Sequence, residues 1–470
     1  MAERTQQPPP QEEAGVKHVD FIHPIGSRDG TLTRDPKMVN CYPEQTELGV
    51  VAKKRPGMVL ARSYPAGEAR GQFLHKGVVQ SIINDVIYST ATGGGIGIAG
   101  ESSGLQLNFL SDTPFGLSGL KTKLNLWTLN SVGAFTQVTD AGYPAETTQG
   151  LTYLDGYYFV MAVDGTIQHS AVLNPMSWPA LNFIGSDLSY GTPRTLSRHL
   201  NYIAAFYAQG LQMFYNAGNA TGSVLAPVGN ANWRTGCALG ESVLNINDET
   251  YFMAHNGAGG RSIQKLSGLS LGRVSDDYID RILARSTLAK VFVNDIRTDG
   301  HSFYTITLTD LNLTLAYDTV MNHWTVWSTE TNGVEGYFKG IFAVNRGDIC
   351  YLQNETNGQL IRPEPFAYRD STGPINFRVV TPCHDWGTLK RKYMPAVFLI
   401  ADTVPSTVLL RYSDKDYANP SNWRSINLAT DRKMALKMGS SIRRSWEIWH
   451  TADTPFRAFT LQLDIARGAE

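Results

Sequence analysis

The sequence predicts an all-β protein whose central part is a β-propeller. Three observations lead to this prediction. Short apolar strands return on themselves through turns of Gly, Asp or Asn, several of these hairpins recur at intervals of about 50 residues, and their apolar residues are dense on both faces. A sheet that is apolar on both faces must pack between two neighbours. A ring of such sheets supplies those neighbours and leaves only short edges exposed.

Hairpin patterns recur from residue 71 to about residue 370, which we predict to be the propeller. The seven hairpins are 78–90, 123–138, 150–170, 199–216, 249–266, 301–318 and 340–362. The clearest one contains NYIAAFYAQGLQMFY (201–215), in which Tyr, Phe and Ile suit a buried pleated surface. Between the hairpins lie loops rich in Gly, Pro, Asn and Ser, such as 92–104 and 217–232.

The two ends of the chain differ from this central part. Residues 1–17 are polar and rich in Pro and Gln, which predicts a disordered tail. Residues 18–70 are irregular, and we expect an extended segment that packs on the body. Residues 371–470 contain longer strands closer to strict alternation. They predict an accessory β-sandwich-like domain, either appended to the propeller or completed by the N-terminal segment.

One segment favours a helix, SDDYIDRILARSTLAKVF (275–292). Ser275 or Asp276 is suited to cap its N-terminus. Its apolar positions are Ile279, Ile282, Leu283 and Leu288.

Composition excludes several classes of protein. The chain has 470 residues, 42% hydrophobic and 18% charged, so it can bury a core and is not a disordered chain. Lys and Arg number 41 against 42 Asp and Glu, a net charge of −1. A dedicated nucleic-acid binder would normally be basic, so this class is not expected. The sequence contains neither a secretory signal nor an apolar run of about 18 residues, so we expect no membrane span.

The four cysteines, Cys41, Cys237, Cys350 and Cys383, are far apart. No two have C-x-x-C spacing, so neither a zinc site nor a redox pair is predicted. We expect them to be buried as small apolar residues.

Two motifs have some similarity to binding motifs. Gly95, Gly97 and Gly100 fit the letters G-x-G-x-x-G, but the following ESSGLQLNFL is not helical and provides no acidic residue for a ribose. We interpret it as a glycine-rich loop and predict no cofactor. The segment 411–425 is faintly similar to the aspartate-box turn of sialidases but lacks its glycine, so we interpret it as a structural turn.

No catalytic constellation is evident. The available carboxylates do not form a pair with the spacing of a glycosidase, and most lie in turns where Asp caps its own backbone. They are Asp155, Asp164, Asp276, Asp277 and Asp318. His18, His23 and His384, which precedes Asp385, show no ligand spacing, and no G-x-S-x-G elbow marks a nucleophile. We therefore predict no catalytic, cofactor-binding or metal-binding residues and no enzymatic activity.

Three short basic runs, KKRPG (53–57), LKRKY (389–393) and IRRSW (442–446), have two interpretations. They form a solvated surface or bind neighbouring subunits, or they contact nucleic acid locally. We favour the first interpretation. The interleaving of Arg443 and Arg444 with Trp446 and Trp449 is the observation that supports the second, although in a strand these side chains would point only partly to one face.

The order of these segments resembles a known family. MVNCYPE and RPGM are followed by LDGYYFVMAVDGTIQHS, NYIAAFYAQGLQMFYNAGNATG and AHNGAGGRSIQKLSG, and then by a β-rich C-terminus. This layout, from about residue 30 to residue 465, resembles the tail nozzle, or packaged-DNA stabilisation, proteins of short-tailed bacteriophages. The resemblance lies in the layout of hairpins, and the family has no catalytic residues to transfer.

The resemblance implies a six-bladed propeller-like body, although seven hairpins are present, so that one would be a split blade or lie outside the ring. It also implies a homo-hexameric tube below the portal and its adaptor ring, associated with a tail needle or with fibre or tailspike proteins. Genomic DNA would pass through this tube without sequence specificity. The protein would be made in the host cytoplasm and reside in the virion. No interface residues can be assigned.

Near-neutral charge suits such a conduit, because many phosphate contacts would arrest transit. Tyr42, Trp178 and Trp233 are candidates for exposed interface aromatics or for ordinary packing. The alternative function is a carbohydrate-binding or glycan-hydrolysing propeller of a phage tail. Its distinguishing feature would be a pocket on the propeller axis lined by paired carboxylates and Arg.

Overall fold

The computed structural model describes residues 15–47, 49–84, 86–90, 95–97, 108–110, 118–122, 124–129, 135–186, 190–255 and 260–467. The chain divides into two compact units. The sandwich unit comprises Met1–Gly26, Leu32–Arg55 and Asn376–Glu470, and the propeller unit comprises Ser27–Thr31 and Pro56–Ile375. The segment predicted at 18–70 is therefore shared between the two units. Most of the predicted tail, residues 1–14, lies outside the described residues.

The described residues of the propeller unit form seven antiparallel sheets, here called blades 1 to 7. Blade 1 is Ala69–His75, Val78–Ile83, Val86–Ser89 and Gly95–Gly97, and blade 2 is Asn108–Leu110, Ser118–Lys121, Leu126–Leu129 and Phe135–Gln137. Blade 3 is Thr152–Leu154, Tyr157–Met161, Ile167–His169 and Phe183–Ile184, and blade 4 is Pro193–His199, Tyr202–Tyr207, Leu211–Asn216 and Leu225–Trp233. Blade 5 is Gly236–Cys237, Leu244–Ile246, Glu249–His255, Arg261–Ser267 and Ser270–Arg273, with a 3-10 turn at Gly240–Ser242. Blade 6 is Val291–Thr298, His301–Leu308, Leu313–Asp318, His323–Thr331 and Val334–Tyr337, with a 3-10 turn at Thr309–Leu311. Blade 7 is Gly340–Arg346, Ile349–Asn354, Gln359–Glu364 and Gly57–Ser63.

Blade 4 shows why its sequence is apolar on both faces. Along Tyr202–Tyr207 the side chains alternate between two cores. Ile203 and Ala205 pack in a core shared with blade 3, and Ala204 and Phe206 pack in a core shared with blade 5. The alternation places every second side chain on the opposite face of the sheet. Each blade is therefore stabilised by its neighbours, as the sequence predicted.

The ring closes through a strand that precedes the first blade. Gly57–Ser63 pairs antiparallel with Gln359–Glu364 and becomes the fourth strand of blade 7. At its first residue the strand passes close to the backbone of Arg369. Only glycine fits there, because a Cβ atom at Gly57 would lie 2.2 Å from the carbonyl oxygen of Arg369. Blade 7 in turn contacts blade 1, where the Gln353 amide donates to the Ile82 carbonyl at 3.1 Å. The two ends of the propeller sequence are thereby joined by hydrogen bonds.

The all-β class and the propeller-like body are confirmed, but the number of blades in the described residues is seven and not the six implied by the resemblance. Each of the seven predicted hairpins lies in a blade of its own. The last hairpin forms a complete blade of the ring, because Gly57–Ser63 supplies the fourth strand of its sheet. The sequence count of hairpins thus gave the better number.

The helix is shorter than predicted and spans Asp277–Arg285. The Asp276 carboxylate caps it by accepting from the backbone N–H groups of Tyr278 at 3.0 Å and Ile279 at 2.8 Å. The predicted apolar positions Ile279, Ile282 and Leu283 are buried. Leu288 lies beyond the helix at φ = 58°, outside helical geometry. Among the described segments no helix has the length and apolar character needed to cross a lipid bilayer.

The sandwich unit consists of two sheets. One contains Gly15–Asp20, Cys41–Thr46, Gly49–Lys54, Lys392–Tyr393, Ala396–Ala401, Met434–Leu436, Ser440–Ser441 and Arg457–Arg467. The other contains Lys37–Val39, Phe377–Val380, Thr407–Ser413, Arg424–Asn427 and Ser445–His450. Val19 and Leu461 of the first sheet share one core with Leu410 and Trp446 of the second. The β-sandwich is confirmed, and strands from the N-terminal segment complete it.

Candidate functional site

The first strands of the blades line two cavities near the propeller axis. One has a volume of about 340 Å³ and the other of about 430 Å³. Glu241, Val291, Phe292 and Phe342 line both of them. Volumes of this size are typical of small-molecule pockets in proteins, which measure about 300–1,000 Å³.

Phe342, which lines both cavities, has a strained backbone conformation. Its φ is 54°, a left-handed value that is rare for a bulky residue, and it lies in a β-bulge of blade 7. The neighbouring blades hold this bulge from both sides. The Gln72 amide of blade 1 donates to the Phe342 carbonyl, and Asn294 of blade 6 accepts from the Ala343 N–H at 2.9 Å. The Phe342 ring meets that of Phe292 edge-on at 5.4 Å. The aromatic pair therefore lines both cavities, and hydrogen bonds from blades 1 and 6 hold the backbone of Phe342.

Charges near the axis are balanced. The Lys290 ammonium lies 2.9 Å from Glu355 and 3.9 Å from Glu68, and the Gln149 amide donates to the Glu241 carboxylate. Burial alone would raise the pKa of Glu355, but hydrogen bonds from Tyr337 and Lys290 hold this pKa below its usual value. The described part of the axis does not present a surface of one sign.

The three cations of the basic run 53–57 belong to the sandwich unit. Lys54 and Arg55 are buried, and they donate to the Ala452 carbonyl at 2.7 Å and to the Asn40 side chain at 2.9 Å. Lys53 pairs with Glu44 at 2.7 Å. These cations are satisfied within the chain, which fits neither of the two interpretations made from the sequence.

The other two basic runs meet at one edge of the sandwich. Lys392 and Tyr393 pair with Ser441 and Ser440, which directly precede the run that starts at Ile442. Their buried members have structural roles, whereas Lys390 and Arg391 are exposed.

Arg444 and Trp446 are not available to nucleic acid. Arg444 is 1% exposed and binds Asp414 through two hydrogen bonds of 2.6 and 2.9 Å. Its guanidinium carbon lies 3.6 Å from the centre of the Tyr412 ring. Trp446 is buried in the sandwich core. Arg444 and Trp446 therefore lie in a segment whose side chains are buried almost throughout.

The predicted role of the turn carboxylates is seen in the contacts. Asp164 accepts from the N–H of Thr166, Asp318 accepts from the N–H of Val320, and Asp276 caps the helix. The other two, Asp155 and Asp277, bind the side chains of Asn216 and Arg273.

One contact was not expected from the sequence. The His301 Nδ1 atom lies 2.7 Å from the Asp318 carboxylate. The next residue, Ser302, donates its hydroxyl to Asp295 at 2.8 Å. The dyad and this serine therefore belong to separate hydrogen bonds.

The remaining motifs have local roles. Gly95–Gly97 form a strand that pairs with Val86–Ser89 in blade 1, while Gly100 lies outside the described residues. In the segment 411–425 the Ser413 hydroxyl donates to the Ala418 carbonyl at 2.7 Å and closes a turn between two strands.

Two of the three candidate interface aromatics are buried, so ordinary packing, the second of the two alternatives, applies to them. Tyr42 is fully buried, and Trp178 packs edge-on against Tyr143 and donates its indole N–H to the Pro175 carbonyl at 2.9 Å. Trp233 is half-buried against the core between blades 4 and 5.

Three of the four cysteines are buried, and Cys383 is half-buried. Burial raises the pKa of Cys237 and of Cys350 to about 12, which suits an apolar packing role. Within the described ranges no three His, Cys, Asp or Glu side chains lie together as a metal site would require.

Sequence reasoning missed the axial residues. Gln149, Glu241 and Phe342 are separated by about 90 or more residues and have no shared motif. The available signal was their position in or near the strand that begins each blade, the strand nearest the axis.

Comparison with known proteins identifies the family. A family model described as "Bacteriophage P22 Gp10, beta-propeller" matches residues 62–361. None of the curated proteins compared with the chain has a similar sequence.

Several solved structures resemble the chain at low identity. They include a streptogramin B lyase, with 11% identity, 69% of this chain and 98% of that chain covered, and a TM-score of 0.44. The N-terminal domain of Nup159 has 9% identity, 69% and 97% coverage and a TM-score of 0.38. YCF48 from Cyanidioschyzon merolae has 10% identity, 66% and 99% coverage and a TM-score of 0.43. Because the family model covers more than half of the residues, the chain belongs to the bacteriophage P22 Gp10 β-propeller family, a phage tail nozzle and DNA-stabilisation family.

Proposed function

We propose that the chain is a structural protein of the phage tail whose six copies form a tube below the portal and its adaptor ring. The tube retains packaged DNA and conducts it during ejection, and a tail needle or fibre or tailspike proteins attach to it. The chain is made in the host cytoplasm and has no catalytic activity of its own. The observation that carries the proposal is the family match over residues 62–361.

The size of the axial cavities supports a passage formed between copies. The two cavities, of about 340 and 430 Å³, are of the size that holds small molecules, and the Phe292–Phe342 pair lines both of them. A passage wide enough for DNA then requires several chains around a common axis, which a closed cyclic assembly provides.

The burial of several basic residues favours passage of DNA without tight binding. Lys54, Arg55, Lys392 and Arg444 are buried and bind acceptors of the same chain. Each phosphate contact adds to affinity and to its salt dependence. These four cations are therefore not available to bind phosphates of passing DNA.

Blade 3 carries apolar side chains suited to contacts between copies. Leu173, Leu181 and Phe183 are exposed, and Leu181 is 75% exposed. Phe183 belongs to a two-residue edge strand, a short edge of the kind proteins use to limit unspecific pairing. These residues can be buried when copies associate.

Imaging of the purified full chain and of intact virions tests this function. Six-fold rings located below the portal are expected, and the double substitution Leu181→Asp with Phe183→Asp should reduce ring formation. The matched control is Val334→Asp, which changes an equally exposed side chain of blade 6. A monomer that is absent from the virion tail would refute the proposal.

The second candidate function is glycan binding at the axis. The 340 Å³ cavity holds the carboxylates Glu68 and Glu241 together with Arg70, the combination expected for that alternative. Calorimetric titration with envelope saccharides, using Glu241→Gln as the variant, tests it. Heat of binding that Glu241→Gln abolishes would favour this candidate, and an absence of heat in the intact chain would remove it.

A further inference from the structure

One edge of the sandwich unit combines exposed apolar and basic side chains. We call it the basic–apolar edge and define it by Leu389, Lys390, Arg391, Tyr393, Lys437 and Ile442, all exposed. Leu389 is 77% exposed, among the most exposed large apolar residues described. The sequence places these residues in segments almost 50 positions apart, and only the fold brings them together.

Hydrogen bonds from a buried lysine fix the backbone of the edge. The buried Lys392 ammonium donates to the carbonyls of Thr388, Lys390 and Ile442 at 2.7, 2.8 and 2.7 Å. A single cation thereby fixes the loop before its strand to the segment across from it. Lys437 is fixed as well, because its N–H donates to the Pro395 carbonyl at 2.7 Å. The exposed side chains are therefore presented on an ordered backbone.

The charged side chains that define the edge are all basic. Lys390, Arg391 and Lys437 are all exposed, and the nearby Arg443 is offset by Asp416 at 3.3 Å. The adjacent carboxylate, Asp385, accepts the N–H of Gly387 within its own turn. The surface is thus complementary in charge to an anionic partner.

We propose that the basic–apolar edge docks on an anionic lipid surface, an interaction that goes beyond the nozzle function. Leu389, Ile442 and the ring of Tyr393 would enter the boundary between headgroups and acyl chains. Lys390, Arg391 and Lys437 would bind lipid phosphates at the same depth. This arrangement matches the general pattern of interfacial membrane binding, which combines buried apolar area with attraction to anionic headgroups.

The composition of the edge favours lipid over two other partners. Duplex DNA offers phosphates but no apolar phase for the aliphatic side chains of Leu389 and Ile442. A protein partner is less suitable, because lysine is depleted from protein–protein interface cores, whereas Lys390 and Lys437 lie among the apolar residues of the edge.

Co-sedimentation of the full chain with lipid vesicles tests the proposal. Vesicles of phosphatidylglycerol and phosphatidylcholine in equal parts should bind the chain, and vesicles of phosphatidylcholine alone should bind it much less. Lys390→Glu with Arg391→Glu should lower partitioning roughly tenfold or more, because each basic residue adds measurable attraction to an anionic surface. Leu389→Ser with Ile442→Ser should lower it also in high salt, where charge is screened.

Matched controls distinguish vesicle binding through this edge from nonspecific adsorption of exposed apolar or charged residues. Leu269→Ser with Val334→Ser removes exposed apolar groups from the propeller, and Arg346→Glu reverses an exposed charge there. These variants should bind vesicles as the unmodified chain does. Circular dichroism should show the same melting temperature for all variants.

Three results would overturn the proposal. One is no binding to anionic vesicles. Another is equal loss of binding in the propeller controls. The third is an edge variant that leaves vesicle binding intact but loses binding to duplex DNA or to other copies of the chain, which would assign the edge to that partner.

Discussion

Replacement of Arg444 by methionine should destabilise the sandwich unit by about 3 kcal/mol. The change removes two hydrogen bonds to Asp414 and one to the Met438 carbonyl at 2.7 Å. Hydrogen bonds to charged groups contribute about 1.5–3 kcal/mol each, and breaking a buried ion pair costs about 3–5 kcal/mol. Asp414 is 35% exposed, so water can solvate its carboxylate in the variant, which places the expected loss at the lower end.

The neighbouring arginine is the matched control. Arg443 is 50% exposed and lies 3.3 Å from Asp416, a surface pair worth less than about 1 kcal/mol. Urea unfolding followed by tryptophan fluorescence measures both variants. For a slope of about 2–3 kcal/mol/M, Arg444→Met should lower the midpoint by about 1 M and Arg443→Met by only a few tenths.

A double-mutant cycle with Asp414→Asn should give a coupling free energy above about 1.5 kcal/mol. Binding to duplex DNA should be unchanged in Arg444→Met, because the guanidinium is buried. Equal midpoint shifts for the two arginine variants would refute the structural role of Arg444. A loss of DNA binding confined to Arg444→Met would restore its interpretation as a nucleic-acid contact.

Two further predictions concern packing and pH. Gly142→Ala should lower the free energy of unfolding, measured with urea, by several kcal/mol, because its Cβ would lie 1.7 Å from the carbonyl oxygen of Trp178. The control Gly185→Ala, whose Cβ meets open space, should lower it by less than about 1 kcal/mol. Equal losses in the two variants would contradict the clash. Burial, with a smaller effect of Lys54, lowers the pKa of His450 from 6.5 to about 3. Between these two pH values the unfolded chain binds a proton that the folded chain does not bind. The free energy of unfolding therefore falls as the pH drops from 6.5 towards 3, by at most about 5 kcal/mol. His450→Asn should flatten this part of the stability–pH profile measured by urea unfolding, and an unchanged slope would contradict the assignment.

The local features of the propeller were predictable from the sequence. Hairpins such as 199–216 and 301–318 carry their own turn residues and apolar strands, so each one forms from contacts between residues close in the chain. The start of the helix was predictable for the same reason, because Asp276 caps the N–H groups two and three residues further on. Its end was not, since Asp310, distant in sequence, binds the Thr287 N–H there.

The pairing of distant segments was not predictable. Gly57–Ser63 lies almost 300 residues from its partner Gln359–Glu364, and its sequence favours a strand without indicating a sheet. The count of six blades, which the resemblance implied, was wrong, whereas the count of seven hairpins agrees with the described blades. The burial of Lys54 and Arg55 was also hidden, because their acceptors at Ala452 and Asn40 are not encoded next to them.

The sequence by itself determined the all-β class, the seven hairpins, and a family whose members are phage tail nozzle and DNA-stabilisation proteins, because these depend on short-range patterns and on the order of segments. The tertiary structure alone decided which basic residues remain on the surface. It buried Arg444 on Asp414 and left Lys390 and Arg391 exposed beside Leu389. The physical reason is that a charge can be buried only where the fold brings an acceptor to it, and acceptors come from any part of the chain.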